Sequence, residues 1–378
     1  MKKATIIFLL LLIGCTNNPN KIEDLPKKNS LKKNLTFEVF DEIHISDLFE
    51  NQIENRNLID TSSLGQQELE FNGEKITYNI VDTTKPVINL SNLTTYVGQK
   101  INFLDSIMCG DNYDRELRCE IVGEYDFNKV GTYLLKVVAT DSSGNTDEKE
   151  FKLIVTEKKS SSGSNNPTYY YFKDLISKYK TEKTMVGIDV SVWQGNIDFK
   201  KVKDAGCEFV MIRIGFGPKN NEMIFDSKFK DNLKKAKDAG LKVGLYFYSY
   251  AKNIDDAEKQ ANWIIKSLNG EKLDLPIAFD WEIWNGFNNY KINFKDLNDV
   301  ADAFINKIDE AGYSGVIYSS AFYLNRVWKP NKNPWLAYYT NNNDFEKPYF
   351  MWQLSSRGNI DGINGYVDLN VLYLDKKN

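Results

Sequence analysis

Beyond Met185 the hydrophobic positions follow two rhythms in turn. Short apolar runs at 186–191, 209–215, 242–248 and 315–319 read as strands. Between them, apolar residues recur at helical spacing. The pattern predicts helices over 199–205, 226–239 (Phe229, Leu233, Ala236, Ala239), 255–268 with an Asp cap, and 294–311. A glycine stands at or just past each helix end: Gly206, Gly240, Gly270 and Gly312. Strand–helix alternation implies parallel strands joined by right-handed crossovers. After Trp328 the long helical patterns stop, and runs at 335–339, 350–355 and 367–372 read as three closing strands. Five βα units and three strands predict an α/β modified (β/α)5(β)3 TIM-like barrel over 185–378.

The N-terminal half has a different pattern. Short β-type runs at 36–40, 75–81, 132–140 and 150–155 are separated by turn signals such as Asp141-Ser-Ser-Gly-Asn145. A weak internal repeat aligns 59–71 with 125–137. Two all-β sandwich modules follow, a degenerate one at 36–82 and a fuller one at 83–157. Residues 16–35 read as a flexible tether. Residues 158–184 read as a linker with a short helix at 169–183. At the very start, Lys2 and Lys3 precede an apolar stretch, 4–13, too short to span a membrane as a helix, which ends in Leu12-Ile13-Gly14-Cys15.

Composition narrows the chemistry. The formal net charge is -4, and no basic stretch marks a nucleic-acid partner. The chain has one histidine, His44, and all seven tryptophans lie after Met185. The C-terminal unit therefore cannot build a Ser-His-Asp or Cys-His site, or a zinc site that needs His ligands. Acid–base work there falls to Asp and Glu; no metal ligands stand out and no cofactor is expected. Cys109 and Cys119 flank a polar loop and form either a disulfide or two free thiols. Cys207 reads as a small buried residue.

The segment Pro276-Ile-Ala-Phe-Asp-Trp-Glu282 places two carboxylates at the end of an apolar run. As a strand it would put Asp280 and Glu282 on one face with Ala278, and Phe279 and Trp281 on the other, with the acids ~6–7 Å apart. That separation lies near the boundary between the retaining and inverting arrangements of glycosidase carboxyls. Asp189 also falls near a strand end. Arg213, between Ile212 and Ile214, is expected to face the barrel interior, where it contacts substrate or pairs with an acid. Tyr246, Tyr248, Tyr318 and Tyr338 either line the groove or fill the barrel.

The ordered motifs Gly187-Ile-Asp-Val-Ser191, Trp193-Gln-Gly-Asn-Ile-Asp-Phe199, Phe279-Asp-Trp-Glu282, Trp352-Gln353 and Gly365-Tyr-Val-Asp-Leu-Asn370 resemble glycoside hydrolase family 25, lysozymes that act as N-acetylmuramidases. The resemblance implies hydrolysis of peptidoglycan glycan strands, with net retention. Partial burial and a neighbouring negative Asp280 would raise the pKa of Glu282, which makes Glu282 the general acid and leaves Asp280 ionised; the resemblance implies Asp189 and Asp368 as the other two active-site acids. Gln353 joins the candidate substrate contacts. The family often has His in the third strand, where this chain has Tyr246-Phe-Tyr248, which leaves one sugar contact different. Two other readings are a non-catalytic wall-binding or adhesive lipoprotein with an inactive barrel, and a glycosidase of chitin-like chains. The openings Asp82-Thr-Thr-Lys-Pro-Val-Ile88 and Val130-Gly-Thr-Tyr133 resemble bacterial Ig-like surface domains, which implies spacers or contacts with wall components. Residues 12–15 resemble a lipobox, which implies a signal peptide over 1–15, lipidation of Cys15, and anchoring on the outer face of the bacterial membrane.

Overall fold

In a computed structural model the chain divides into two compact units, with the division in sequence between Val81 and Asp82. The structure describes residues 29–158, 170–219 and 222–376. The leader, Cys15, most of the tether and the linker core at 159–169 lie outside the described residues. Among the described residues no helix is long and apolar enough to cross a membrane.

The first unit holds one three-stranded sheet. Gly65–Phe71 and Glu74–Val81 form an antiparallel hairpin, and Thr36–Glu38 adds parallel to the second strand. Asn72 and Gly73, both at positive φ, make the two-residue turn. Ile76, Tyr78 and Ile80 alternate into the core. A sandwich was expected here; among the described residues there is no second sheet in this unit.

The second unit begins with a β module. Its four-stranded sheet runs Leu93–Tyr96, Thr146–Thr156, Gly131–Thr140, Arg118–Val122. A two-stranded sheet, Val87–Asn89 with Met108–Gly110, shares its core through Ile88, Phe103, Leu135, Val137, Phe151 and Leu153. A Cys109–Cys119 disulfide ties one sheet to the other.

The barrel strands are β1 (Thr184–Val190), β2 (Phe209–Lys219), β3 (Lys242–Ser249), β4 (Ile277–Asp280), β5 (Gly315–Ser320), β6 (Trp335–Ala337), β7 (Met351–Asn359) and β8 (Val367–Tyr373). β1 to β7 pair in parallel in chain order, and β8 closes the ring antiparallel to both β7 and β1. The crossover helices are α1 (Phe199–Asp204), α2 (Phe229–Asp238), α3 (Ile254–Leu268), α4 (Phe294–Glu310) and α5 (Ala321–Arg326). The leading helix is Phe172–Tyr179. The cap of α3 is Asn253, whose side chain accepts from the Asp256 N–H, rather than an Asp. The strand interior is filled by Phe209, Met211, Ala278, Tyr318, Trp335 and Met351, while Phe279, Phe304 and Trp328 pack in the outer layer under the helices.

The β module seats directly on the barrel, against the segment that joins β4 to α4. Val87 and Met108 belong to the barrel's outer core. Asn288 accepts from the Cys109 N–H at 3.1 Å and donates to the Ile107 carbonyl at 3.0 Å. The Phe294 N–H donates to the Asp111 carbonyl at 2.7 Å. Arg115 donates to both oxygens of Asp296 at 2.6 and 2.8 Å. Gly110 is the point of closest approach: a Cβ there would lie 2.5 Å from the Phe294 ring and 2.8 Å from Phe287. Both rings are buried, so neither can yield. Gly110→Ala is therefore expected to cost about 1–3 kcal/mol by overpacking, seen as a lower urea midpoint for the second unit. An unchanged midpoint would contradict this packing.

Candidate active site

Alternation along β4 turns Ala278 inward and Phe279 outward, so Asp280 returns to the inner face at the strand's C-terminal end. The strand stops at Asp280, two residues earlier than the sequence pattern predicts. Trp281 accounts for the stop. Its ring is fully buried among Trp284, Phe287 and Tyr290, and its indole N–H donates to the Ala251 carbonyl at 3.1 Å. Glu282 thus leaves the sheet and stands in the loop at the barrel mouth, where its side chain keeps access to solvent.

β1 and β8 supply two more acids. Asp189 and Asp368 are direct partners in the antiparallel register. Asp189 is 5% exposed. Its Oδ2 accepts from Asn370 Nδ2 at 2.7 Å and Gln353 Nε2 at 2.9 Å. Gln353 Oε1 in turn accepts from the Tyr318 and Tyr339 hydroxyls at 2.8 and 2.9 Å. Asn370 Oδ1 accepts from Trp335 Nε1 at 2.9 Å. Each amide is thereby fixed in orientation by a donor on its far side.

The four acids feel one another. Burial pushes Asp189 up to about 6, against the opposing hydrogen bonds from Gln353 and Asn370. Burial, then the charges of Asp189 and Glu282, push Asp368 up to about 8. Glu282 is raised by the protein around it first and by Asp189 second. Asp280, 4% exposed, is driven well above the usual carboxylate range by burial, then by Glu282 and Asp189, with Arg213 opposing. Burial and the two neighbouring acids thus act against the ionised Asp280 expected from the sequence, and Arg213 acts for it. Its Oδ1 is buried without a hydrogen-bond partner.

Arg213 does not pair with any of these four. Its Nε and guanidinium NH2 both lie 2.8 Å from Oδ2 of buried Asp226. Asp226, expected at the start of a helix, precedes α2 instead and also accepts the Val192 and Lys228 N–H groups. Tyr246 is raised by burial and then by Asp189, and Tyr248 by burial and then by Glu282 and Asp280, so both face the acids. Tyr338 does not. Its hydroxyl donates to Asp344 at 2.9 Å, away from the mouth. Tyr339 takes the inward position, in step with Trp335 and Ala337. The period-two rule applied from Trp335 finds it. Asn370 ends the Gly365–Asn370 motif but had no role assigned to it, and Asp226 carried no signal beyond its residue type.

Aromatic rings stand around the rim. Trp193 is 82% exposed on the loop after β1, with Tyr339 and Tyr366 exposed on the loops around β6 and β8. A separate cavity of about 650 Å³ opens at the opposite end of the barrel, lined by 270–276, 311–314, Phe350 and Leu372. None of the four rim acids lines it.

A family model for Glycosyl hydrolases family 25 matches residues 188–363. The autolytic lysozyme of Clostridium acetobutylicum is 32% identical over 190 residues, which are 49% of this chain and 55% of that protein. The uncharacterised protein YegX of Escherichia coli K12 is 31% identical over 199 residues, 50% of this chain and 69% of YegX. Among solved structures, the modular autolysin LytC of Streptococcus pneumoniae, in complex with a synthetic peptidoglycan ligand, aligns at 25% identity and a TM-score of 0.45, covering 63% of this chain and 56% of LytC. The chain thus spans little more than half the length of the Clostridium lysozyme. Barrel, rim acids and relatives define the class as a glycosidase-type barrel. The chain belongs to glycosyl hydrolase family 25.

A raised carboxyl holds its proton more tightly in the folded chain than in the unfolded one. Its contribution to stability is therefore greatest below the unfolded value, about 3.9, and is lost as pH rises through the folded value, about 8 for Asp368. Asp368→Asn removes that loss. The melting temperature of the variant relative to the parent is expected to be higher at pH 8 than at pH 4.5, by about 3 °C or more, measured by calorimetry. A difference independent of pH would contradict the burial of this acid.

Proposed function

We propose that this chain is a lysozyme that hydrolyses the β-1,4 bond between N-acetylmuramic acid and N-acetylglucosamine in peptidoglycan. The observation that carries the reading is the meeting of Asp189, Asp280, Glu282 and Asp368 at the C-terminal mouth of one barrel, where each is raised toward or into the range in which it keeps a proton. Exposed aromatic faces at the rim suit sugar rings.

Glu282 is the general acid. It alone of the two β4-derived acids reaches solvent, and its raised pKa keeps the proton that the leaving glycosidic oxygen needs. The 2-acetamido oxygen of the muramic residue attacks the anomeric carbon as the C–O bond breaks and the leaving oxygen takes the Glu282 proton. Asp280 Oδ1 accepts the acetamido N–H. Asp280 releases its proton to solvent as the substrate enters, and its carboxylate then steadies the positive charge that develops on the acetamido group. Water activated by the Glu282 carboxylate then opens the cyclic intermediate and restores the proton, with net retention. Asp189 and Asp368 hold hydroxyls and set the field, while Tyr246, Tyr248, Tyr318, Tyr339 and Gln353 shape the groove. Arg213 acts from behind, tempering Asp280 while bound to Asp226.

The lipobox-like leader delivers the enzyme to the outer face of the membrane through Cys15, and the 83–157 module serves as an Ig-like spacer. In cells, labelled palmitate should mark the chain and be lost in Cys15→Ala; undiminished label in the variant would refute the anchor. For the chemistry, the purified chain is incubated with sacculi and new reducing ends are measured. Glu282→Gln should lower turnover by about 100-fold or more. Turnover equal to the parent would remove Glu282 from its role, and binding without product in the parent would point to an inactive barrel.

A further inference from the structure

Away from the barrel mouth, the β module gathers a second group of acids. Asp82, Asp111 and Asp141 each offer a carboxylate oxygen, and these oxygens all lie within 4.8 Å of one another. All three residues are buried, Asp111 completely. They arrive from three segments: ahead of the strand Val87–Asn89, just after Met108–Gly110, and just after Gly131–Thr140.

Neutral donors hydrogen-bond to Asp111 and Asp141. Asp111 Oδ2 accepts the N–H groups of Tyr113 and Asp114 at 2.8 and 2.9 Å. Asp141 accepts the Asn145 N–H at 2.7 Å and Asn145 Nδ2 at 2.8 Å. Asp82 Oδ1 accepts the Thr84 N–H and Asn112 Nδ2, both at 3.2 Å. Among the described residues no Lys or Arg forms an ion pair with Asp111 or Asp141. Two buried oxygens have no donor at all: Asp111 Oδ1 and the adjacent side-chain carbonyl Asn112 Oδ1. With Oδ2 engaged, Oδ1 is the Asp111 oxygen left over for a ligand. A fully buried carboxylate oxygen with no donor, beside two further carboxylates and an unpaired amide oxygen, is suited to a cation ligand.

We propose that Asp82, Asp111, Asp141 and Asn112 Oδ1 form a calcium site. The donors are hard oxygens only, drawn from irregular loops, which suits the flexible, oxygen-rich coordination of Ca²⁺. No imidazole or free thiol belongs to the group, which disfavours zinc and copper. The site lies on the loop that docks the module to the barrel. The Asp111 carbonyl accepts from Phe294 N–H, the Tyr113 carbonyl accepts from Asn293 Nδ2 at 2.6 Å, and Arg115 clasps Asp296 in the first turn of α4. A cation that fixes the carboxylate of Asp111 therefore fixes the backbone that caps α4, the helix that follows the Glu282 loop. This proposal is independent of the barrel's chemistry.

The test is calorimetric titration of the chelator-treated full chain with CaCl₂ to about 5 mM, above the affinities usual for extracellular calcium modules, with thermal unfolding in Ca²⁺ and in EDTA. One equivalent of Ca²⁺ should bind and raise the melting temperature, and Asp111→Asn should weaken binding at least about tenfold, the loss of one charged ligand. In EDTA the same variant should melt no lower than the parent, because it removes a buried charge. Asp141→Asn serves as the second variant if the first fails to fold. No heat and no thermal shift in the folded parent would overturn the site, as would undiminished binding in both variants.

Discussion

The crowding of carboxyls at the open end of the barrel, where burial and mutual repulsion both disfavour charge, is the constraint to which the rest of the site answers. Four carboxyls converge there, and the groups that fix Asp189 are neutral: the amides of Gln353 and Asn370, held in turn by the hydroxyls of Tyr318 and Tyr339 and the indole of Trp335. Neutral donors set geometry without cancelling charge. Arg213, the one cation near Asp280 among the described residues, is committed to Asp226. Lysines in place of these donors would neutralise the cluster and drop its acids to ordinary values. The acidity of the site therefore depends on what has been kept away from it as much as on the acids themselves.

The fold delivers this arrangement through two devices. Parallel strands bring the ends of β1 and β4 to one rim, and the antiparallel return of β8 sets Asp368 opposite Asp189. The second device is the outward turn of Trp281, which takes Glu282 off the sheet and into the mouth. The loop that follows is not left to itself. Asn288 and Phe294 are bonded to the backbone of the β module, so the all-β part of this unit braces the segment between the acid loop and α4.

Much of this was legible in the chain. The βα rhythm beyond Met185 and its glycine stops located four of the five crossover helices within a few residues, because each buries a continuous apolar stripe; the short α5 had no such stripe to show. The four rim acids were named from motifs. What failed did so for physical reasons. The run to Glu282 was read as strand, because alternation alone does not show that Trp281 packs outward into an aromatic cluster. Tyr338 was chosen over Tyr339 although the inward step from Trp335 favours the latter. Asp226 looked like a helix residue, since its partner Arg213 lies across a hairpin. The first β unit was read as a degenerate sandwich, but its described residues hold too few strands to form a second sheet. Asp82, Asp111 and Asp141 were invisible as a group because folding alone brings together positions so far apart in the chain.

The most direct measurement of the central claim is a carbon-13 NMR titration of the side-chain carboxyls in the resting protein. The account predicts that Asp189 and Asp368 titrate near about 6 and about 8, and that Glu282 and Asp280 also titrate above solvent-exposed carboxyls of the same chain. Four ordinary curves with midpoints at about 4 would mean that the acids do not share a buried mouth, and the catalytic reading would fail with them.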